Sequence, residues 1–283
     1  MLRSWGADDA RRVLGRPTAG DDKYSRGVVG LRTGSQQFPG AAVLGVEGAW
    51  RTGIGMVRYL GPSRATRLVL ARRPETVTAE GRVQAWVIGS GTSVEARADA
   101  ETRAVRNILD GSDPVVVDAG ALDLAASATA PAVITPHAGE HAKLRSALGL
   151  DPDDARSATS AAETAATLGA VVLLKGATTV VASPEGWECA IEAPTSWLAT
   201  AGTGDVLAGI LGSVTAGAAA RRASVSLAAC AATAAWLHGQ AARAASESVA
   251  GGPITALDVA EHLPPVVGHL LASAEAPTVL SES

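Results

Sequence analysis

The chain has 283 residues, of which 47% are apolar, 18% charged and 3% aromatic, and its formal net charge is −4. Disorder needs low apolar content and high charge, so extended disorder is excluded, and the acidic balance gives no electrostatic pull toward nucleic acid or an anionic membrane. With aromatics so scarce, Ala, Val, Leu and Ile must fill the core, and the length suits one large α/β domain.

Residues 1–27 are polar and contain a turn at Pro17 to Gly20. A short apolar run follows, Val28 to Leu31, and then Arg32-Thr33-Gly34-Ser35, which reads as a strand ending in a turn. Pro39 opens a predicted helix over 40–52. Strands are predicted at 56–60 and 83–88, the second closed by Gly89-Ser90-Gly91, and a helix at 94–109. Pro114-Val115-Val116-Val117-Asp118 is a buried-strand signal ending in a carboxylate, and 132–135 repeats the pattern before Pro136-His137. A helix over 155–168 precedes an apolar strand at 171–174, which ends at Lys175. Residues 178–182 and 187–191 flank Ser183-Pro184-Glu185-Gly186 as a hairpin. Helices are predicted at 206–214 and 222–245, and a last one opens at Thr255 with Asp258 as its capping partner; 272–283 reads as a polar tail.

Strands alternating with helices, several of them continuous apolar runs, predict a mainly parallel sheet covered on both faces. Ligands of such sheets bind beyond the carboxyl ends of the strands. Ser35, Gly89, Asp118, His137 and Lys175 all fall at those ends. Cys189 and Cys230 are too few for a disulfide framework and too far apart for a CxxC metal site. The N-terminus has no apolar signal core, and residues 223–242 are rich in Ala, Ser, Thr and Gly, which insert poorly in membranes. A soluble, cytoplasmic, reducing setting is expected.

The chemistry concentrates in Ala199-Thr200-Ala201-Gly202-Thr203-Gly204-Asp205, followed by an apolar helix. Glycines let consecutive N–H groups converge, and a helix N-terminus adds its unpaired N–H groups and positive dipole end. The result suits a phosphoryl group in transfer, and an Asp there can take a proton from an attacking hydroxyl. Asp205 could equally cap its own helix.

The flanking residues carry a resemblance. The run 199–212, ATAGTGDVLAGILG, is similar to the signature of the ADP/ATP-dependent NAD(P)H-hydrate dehydratases of the ribokinase-like superfamily. Lys23 to Gly27 resembles that family's opening motif, and Gly34-Ser35 with Phe38 to Ala42 its first glycine loop and helix. Val116 to Leu122 resembles its DADAL strand end, Ile134 to Glu140 its TPHxGE motif, and Val171 to Thr179 its KGxxT loop. The motifs occur in the family's order.

The resemblance implies a three-layer αβα ribokinase-like fold in a single domain, with residues 1–22 as an N-terminal extension. It implies repair of NADH or NADPH hydrated at C6, on the S epimer: ADP or ATP phosphorylates the C6 hydroxyl, and phosphate then leaves. Asp205 is the implied base, and Gly202, Thr203 and Gly204 supply anion-hole amides. Lys175, Gly176, Ala177, Thr178 and Thr179 hold the nucleotide. Ala42, Gly91 and His137 match positions that contact the hydrated cofactor, and Glu140 organises Mg²⁺ through water. A homotetramer, and an epimerase supplied by another protein, are also implied.

Asp118 reads as either a substrate contact or a helix cap, and Asp151, Asp153 and Asp154 as a solvated helix start resembling a weak cation site. Trp197 and Trp236 read as packing residues, Trp197 lying near enough to the signature to line the site. The chain departs from the family pattern at Thr195-Ser196-Trp197-Leu198, which puts the local loop shape in question. It departs again at Gly89-Ser90-Gly91, where a Pro is usual and a less rigid turn is expected. The rival readings are a ribokinase-like kinase of a small alcohol and a catalytically silent nucleotide-binding protein. Only Lys23, Lys143 and Lys175 are lysines among 24 basic residues, which singles out Lys175 as a compact cation kept where Arg was available.

Overall fold

The computed structural model describes residues 2–272; the predicted tail lies outside them apart from Ala272. Nine strands form a single sheet: β1 (Arg3–Ser4), β2 (Val28–Arg32), β3 (Met56–Tyr59), β4 (Ala85–Ile88), β5 (Val115–Val117), β6 (Ala132–Ile134), β7 (Val171–Leu174), β8 (Thr178–Ala182) and β9 (Glu188–Glu192). Their order is β1-β9-β8-β7-β6-β5-β4-β2-β3. Every neighbouring pair is parallel except those made by β8, because the hairpin joining β8 to β9 reverses the chain.

Alternation along the strands divides the core. In β5, Val115 and Val117 face one side and Val116 the other. The first side packs against α4 (Asp99–Leu109), α5 (Ala138–Ala147), α6 (Ala158–Leu168) and a 3-10 run over Ala119–Ser127. The second packs against α1 (Ala7–Val13), α2 (Gly40–Arg51), α3 (Ser63–Arg72), α7 (Thr203–Ala220), α8 (Leu227–Ser248), α9 (Ala256–Glu261) and α10 (Leu263–Ala272). The fold is three-layered αβα with a mainly parallel sheet, as expected.

Helix α7 is long and apolar enough to cross a membrane, but 78% of it is buried within the protein. It lies against α2 with almost no side chain between them. A Cβ on Gly209 would sit 2.0 Å from the Gly45 carbonyl oxygen, and one on Gly48 2.4 Å from that of Val206. Small residues here are a packing requirement, and they hold α2 and α7 in fixed register.

Several expectations shift. The polar N-terminus contributes β1, paired with β9, and α1, whose Ala10 and Val13 are buried. Helix α3 and the 3-10 run were not anticipated. The helix expected over 94–109 begins at Asp99, because Arg97 reaches across to the Gly120 carbonyl (2.5 Å) and Asp123. Caps move other boundaries: Ser157 Oγ accepts from the Ser160 amide and delays α6, and Ser226 Oγ accepts from the Ala229 amide and delays α8. The last predicted helix is two, α9 and α10, and the former opens with the expected Thr255–Asp258 capping box.

Candidate active site

The carboxyl ends of β4 to β7 place the polar cluster. Asp118 follows β5 and is 2% exposed. Its Oδ2 accepts from Ser90 Oγ at 2.8 Å, and its Oδ1 accepts from Thr135 Oγ1 at 2.7 Å and Lys175 Nζ at 2.9 Å. Asp118 is therefore the anchor of Lys175, and its side chain caps no helix. Ser90 answers the question about its turn: a proline could not make this bond, and the hydroxyl ties the turn to Asp118. Gly89 and Gly91 there adopt φ of +94° and +66°.

Lys175 also lies 3.8 Å from Glu140 Oε2, and its Nζ would be 3.7 Å from a Cβ on Gly204. The ammonium thus sits at the mouth of α7. Burial works against its charge, but Asp118 first, then Glu140 and Asp205, outweigh that and raise its pKa.

Asp205 is the third residue of α7, after the N-cap Gly202 at φ +89°. Burial, then repulsion from Asp118, pushes its carboxyl from 3.8 up to about 7, with Lys175 pulling the other way. Such a value suits a base that works near neutral pH. The Thr203 hydroxyl is committed to the carbonyls of Leu198 and Thr200, both at 2.9 Å, and its amide donates to Thr200 at 3.4 Å. The amides of Gly204 and Asp205 have no acceptor within the helix and are what the first turn offers to an anion.

His137 caps α5. Its Nδ1 accepts from the amides of Gly139 (3.0 Å) and Glu140 (3.2 Å), while Glu140 Oε2 accepts from the His137 amide at 2.8 Å. Nδ1 therefore carries a lone pair, and Nε2, on the exposed side of the ring, lies 3.6 Å from Glu140 Oε1.

A cavity of about 510 Å³ opens beside these groups, lined by His137, Lys175, Gly176, Ala177, Thr179, Thr203 and Gly204. Ile191, Glu192, Leu198, Leu207, Ala235, His238 and Gly239 line it as well. Thr178 does not join them, because its hydroxyl is turned to Glu192 at 2.9 Å. Within the loop that departs from the family pattern, a 3-10 turn places Ser196 and Leu198 on the cavity. Trp197 is 43% exposed and donates from Nε1 to the Gly251 carbonyl at 3.0 Å, so it is tied outward. Trp236 packs on the main core.

Ala42 and Gly91 belong to an adjoining cluster. Gly34 donates its amide to the Ser90 carbonyl at 2.7 Å, and a Cβ on Gly34 would be 3.0 Å from that of Ala42. Ala42 is fully buried, so its amide in the first turn of α2 is what it can offer. A Cβ on Gly45, one turn along α2, would lie 3.6 Å from the Asp205 carbonyl oxygen. The main chain of Asp205 therefore packs on α2 one turn from Ala42, and Gly204, its neighbour in the chain, lines the cavity.

Three residues eluded the sequence. Glu47 is fully buried yet bound by Arg51, Arg72 and Arg73. His141 is buried between the Ala155 carbonyl and Thr164 Oγ1. His238 lies on the cavity wall; a histidine followed by glycine inside an Ala-rich helix was its only signal. The acidic run of Asp151, Asp153 and Asp154 is exposed ahead of α6, and Cys189 and Cys230 are buried free thiols. No group of three or more metal-binding side chains occurs among the described residues.

A family model, Carb_kinase, described as NAD(P)H-hydrate dehydratase, matches residues 29–265. The chain is 45% identical over 210 residues to the bifunctional NAD(P)H-hydrate repair enzyme of Mycobacterium tuberculosis, covering 70% of this chain and 42% of that protein. It thus spans less than half of that longer relative. It is 31% identical over 223 residues to the ADP-dependent (S)-NAD(P)H-hydrate dehydratase of Bacillus subtilis, covering 73% of this chain and 79% of that one. The B. subtilis ADP/ATP-dependent dehydratase, co-crystallised with ATP and Mg²⁺, superposes with a TM-score of 0.82 at 27% identity, covering 95% and 99% of the two chains.

Proposed function

The chain belongs to the NAD(P)H-hydrate dehydratase family, and we propose on that premise that it restores NADH or NADPH from the S epimer of the C6-hydrated cofactor, with ADP or ATP as phosphoryl donor. The observation that carries this reading is Asp205, a carboxylate with a raised pKa on the first turn of α7, within charge range of Lys175 and next in the chain to Gly204 on the wall of a nucleotide-sized cavity.

In this reading the terminal phosphoryl group lies against the amides of Gly204 and Asp205. Lys175, fixed by Asp118, offsets its negative charge. Gly176, Ala177 and Thr179, which line the cavity, hold the rest of the nucleotide, and the hydrated ring rests on the Ala42 amide, Gly91 and His137. Mg²⁺, when bound beside Glu140, neutralises phosphate charge.

Asp205 takes the proton of the C6 hydroxyl as that oxygen bonds to the terminal phosphorus, and the bond from phosphorus to the nucleotide's bridging oxygen breaks. The ring-nitrogen lone pair then expels the C6 phosphate, and transfer of a C5 proton to water closes the C5–C6 double bond. The protein supplies transfer and orientation, and the substrate's own nitrogen drives the elimination.

A homotetramer, a cytoplasmic location and a partner epimerase belong to the same proposal; the bifunctional name of the M. tuberculosis relative supports the pairing. The test is to supply hydrated NADH and hydrated NADPH with Mg²⁺ and either ADP or ATP, and to follow dihydronicotinamide absorbance. A kinase of another small alcohol would leave that absorbance flat.

A further inference from the structure

Glu192 ends β9 directly opposite Thr178 of β8, and the Ala193 amide donates to the Ala177 carbonyl at 2.8 Å. This pairing brings Glu192 beside the KGxxT loop, where it is exposed and lines the cavity. Among the described residues it is the one Asp or Glu on that lining, as Lys175 is the one Lys or Arg. The two are not partners, because Lys175 is bonded to Asp118 and lies 3.8 Å from Glu140. Glu192 instead accepts from the Thr178 hydroxyl, whose Oγ1 is 2.9 Å from both Oε1 and Oε2. One shared proton occupies little of a carboxylate with about four acceptor positions, so Thr178 orients Glu192 and leaves it open to further donors.

A carboxylate and a phosphate are both acceptors and both negative, so the phosphates keep to Lys175 and the mouth of α7, and the nucleoside part is what reaches Glu192. Adenine's amine is flanked by ring nitrogens whose lone pairs would face the carboxylate unfavourably. The 2′ and 3′ hydroxyls of ribose are two adjacent donors that match its two oxygens, and an acidic side chain on a ribose hydroxyl recurs in nucleotide-binding α/β sheets. We propose that Glu192 is the specificity residue of this cavity, its carboxylate accepting hydrogen bonds from the ribose hydroxyls of the bound nucleotide. Thr178 is then a positioning residue that acts through Glu192. The inference rests on the nucleotide reading of the cavity.

Calorimetric binding of ADP, 2′,3′-dideoxyADP and inosine diphosphate tests it. The dideoxy analogue lacks both ribose hydroxyls, and inosine diphosphate lacks the amine. The wild-type protein is expected to bind ADP about tenfold more tightly than 2′,3′-dideoxyADP. Glu192→Ala, a change at an exposed position, should erase that preference. Thr178→Val keeps the branched shape without the hydroxyl and should weaken the preference, whereas Thr178→Ser should retain it, which a merely structural role would not predict. Equal binding of ADP and 2′,3′-dideoxyADP by the wild type, or an undiminished preference in Glu192→Ala, overturns the inference and leaves the cavity reading intact. An undiminished preference in Thr178→Val overturns the positioning role of Thr178. If Glu192→Ala instead loses discrimination between ADP and inosine diphosphate, the carboxylate faces the base and the ribose assignment falls. Binding of none of the three overturns the cavity reading and the inference with it.

Discussion

Lys175 and Asp118 form an ion pair of 2.9 Å in which the carboxylate, also bonded to Ser90 and Thr135, has no remaining freedom. The lysine is thereby held at the mouth of α7 before any ligand arrives. An arginine would bring a wide, planar fork into a space sized for an ammonium between Asp118, Glu140 and Gly204. Lys175→Arg is expected to lower nucleotide affinity and kcat/KM by about tenfold or more. Calorimetry and steady-state kinetics check this, and an unchanged affinity would remove Lys175 from the phosphate site.

The base must be ionised to accept a proton, so activity should rise with pH along a limb centred near 7 and then level off. Lys175 lowers the Asp205 pKa, so Lys175→Met should move that limb to higher pH. A pH–rate profile of the two proteins reads the shift directly.

Asp205 should also limit stability. Its folded-state pKa, about 7, lies above its ordinary 3.8, so the folded protein holds a proton that the unfolded chain has lost between those values. The contribution is full below pH 4 and is lost as pH rises through 7. Asp205→Asn should abolish turnover while raising stability at pH 8 by about 1 kcal/mol, a Tm increase of about 2–4 °C. The gain should vanish near pH 4, as thermal melts at the two pH values will reveal.

Glu47 carries no chemistry, yet it joins α2 to α3 through Arg72 and Arg73. Burial raises its pKa, but the hydrogen bonds from Arg73 and Arg51 outweigh this and hold it below the ordinary range. Glu47→Gln leaves the arginines partly buried without their counter-charge and should destabilise the fold by about 3 kcal/mol at pH 7. The difference should shrink as pH falls through the carboxyl's depressed pKa, because the wild-type group then protonates too. Urea unfolding at pH 7 and in acid measures it.

Gly209→Ala drives a methyl into the Gly45 carbonyl and separates α2 from α7. Since α2 carries Ala42 and α7 carries Asp205, stability and turnover should fall together, stability by about 1–3 kcal/mol. Full activity in a stable Gly209→Ala protein would mean that this register does not matter to the site.

The sheet was legible because parallel strands are buried on both faces and read as apolar runs such as Val115 to Val117. The site's outline was legible because its polar residues close those runs. What escaped depends on contacts distant in sequence. The two-residue β1 exists only through β9, and the helix α3 is mostly exposed and carries little apolar signal. Asp118 could not be assigned, because its partners lie 28, 17 and 57 residues away. Thr178 sits inside a matched motif, but β8 turns alternate residues to opposite faces and its hydroxyl goes to Glu192. Glu47 and His238 lie within helices whose burial only the tertiary fold decides.

Phosphorylation before elimination is the central claim, and an oxygen label at C6 tests it most directly. Hydrated NADH bearing ¹⁸O in the C6 hydroxyl, supplied with ADP and Mg²⁺, should yield NADH with the label in the released phosphate. Label recovered in water, or a labelled phosphate ester that accumulates without NADH, would contradict the account.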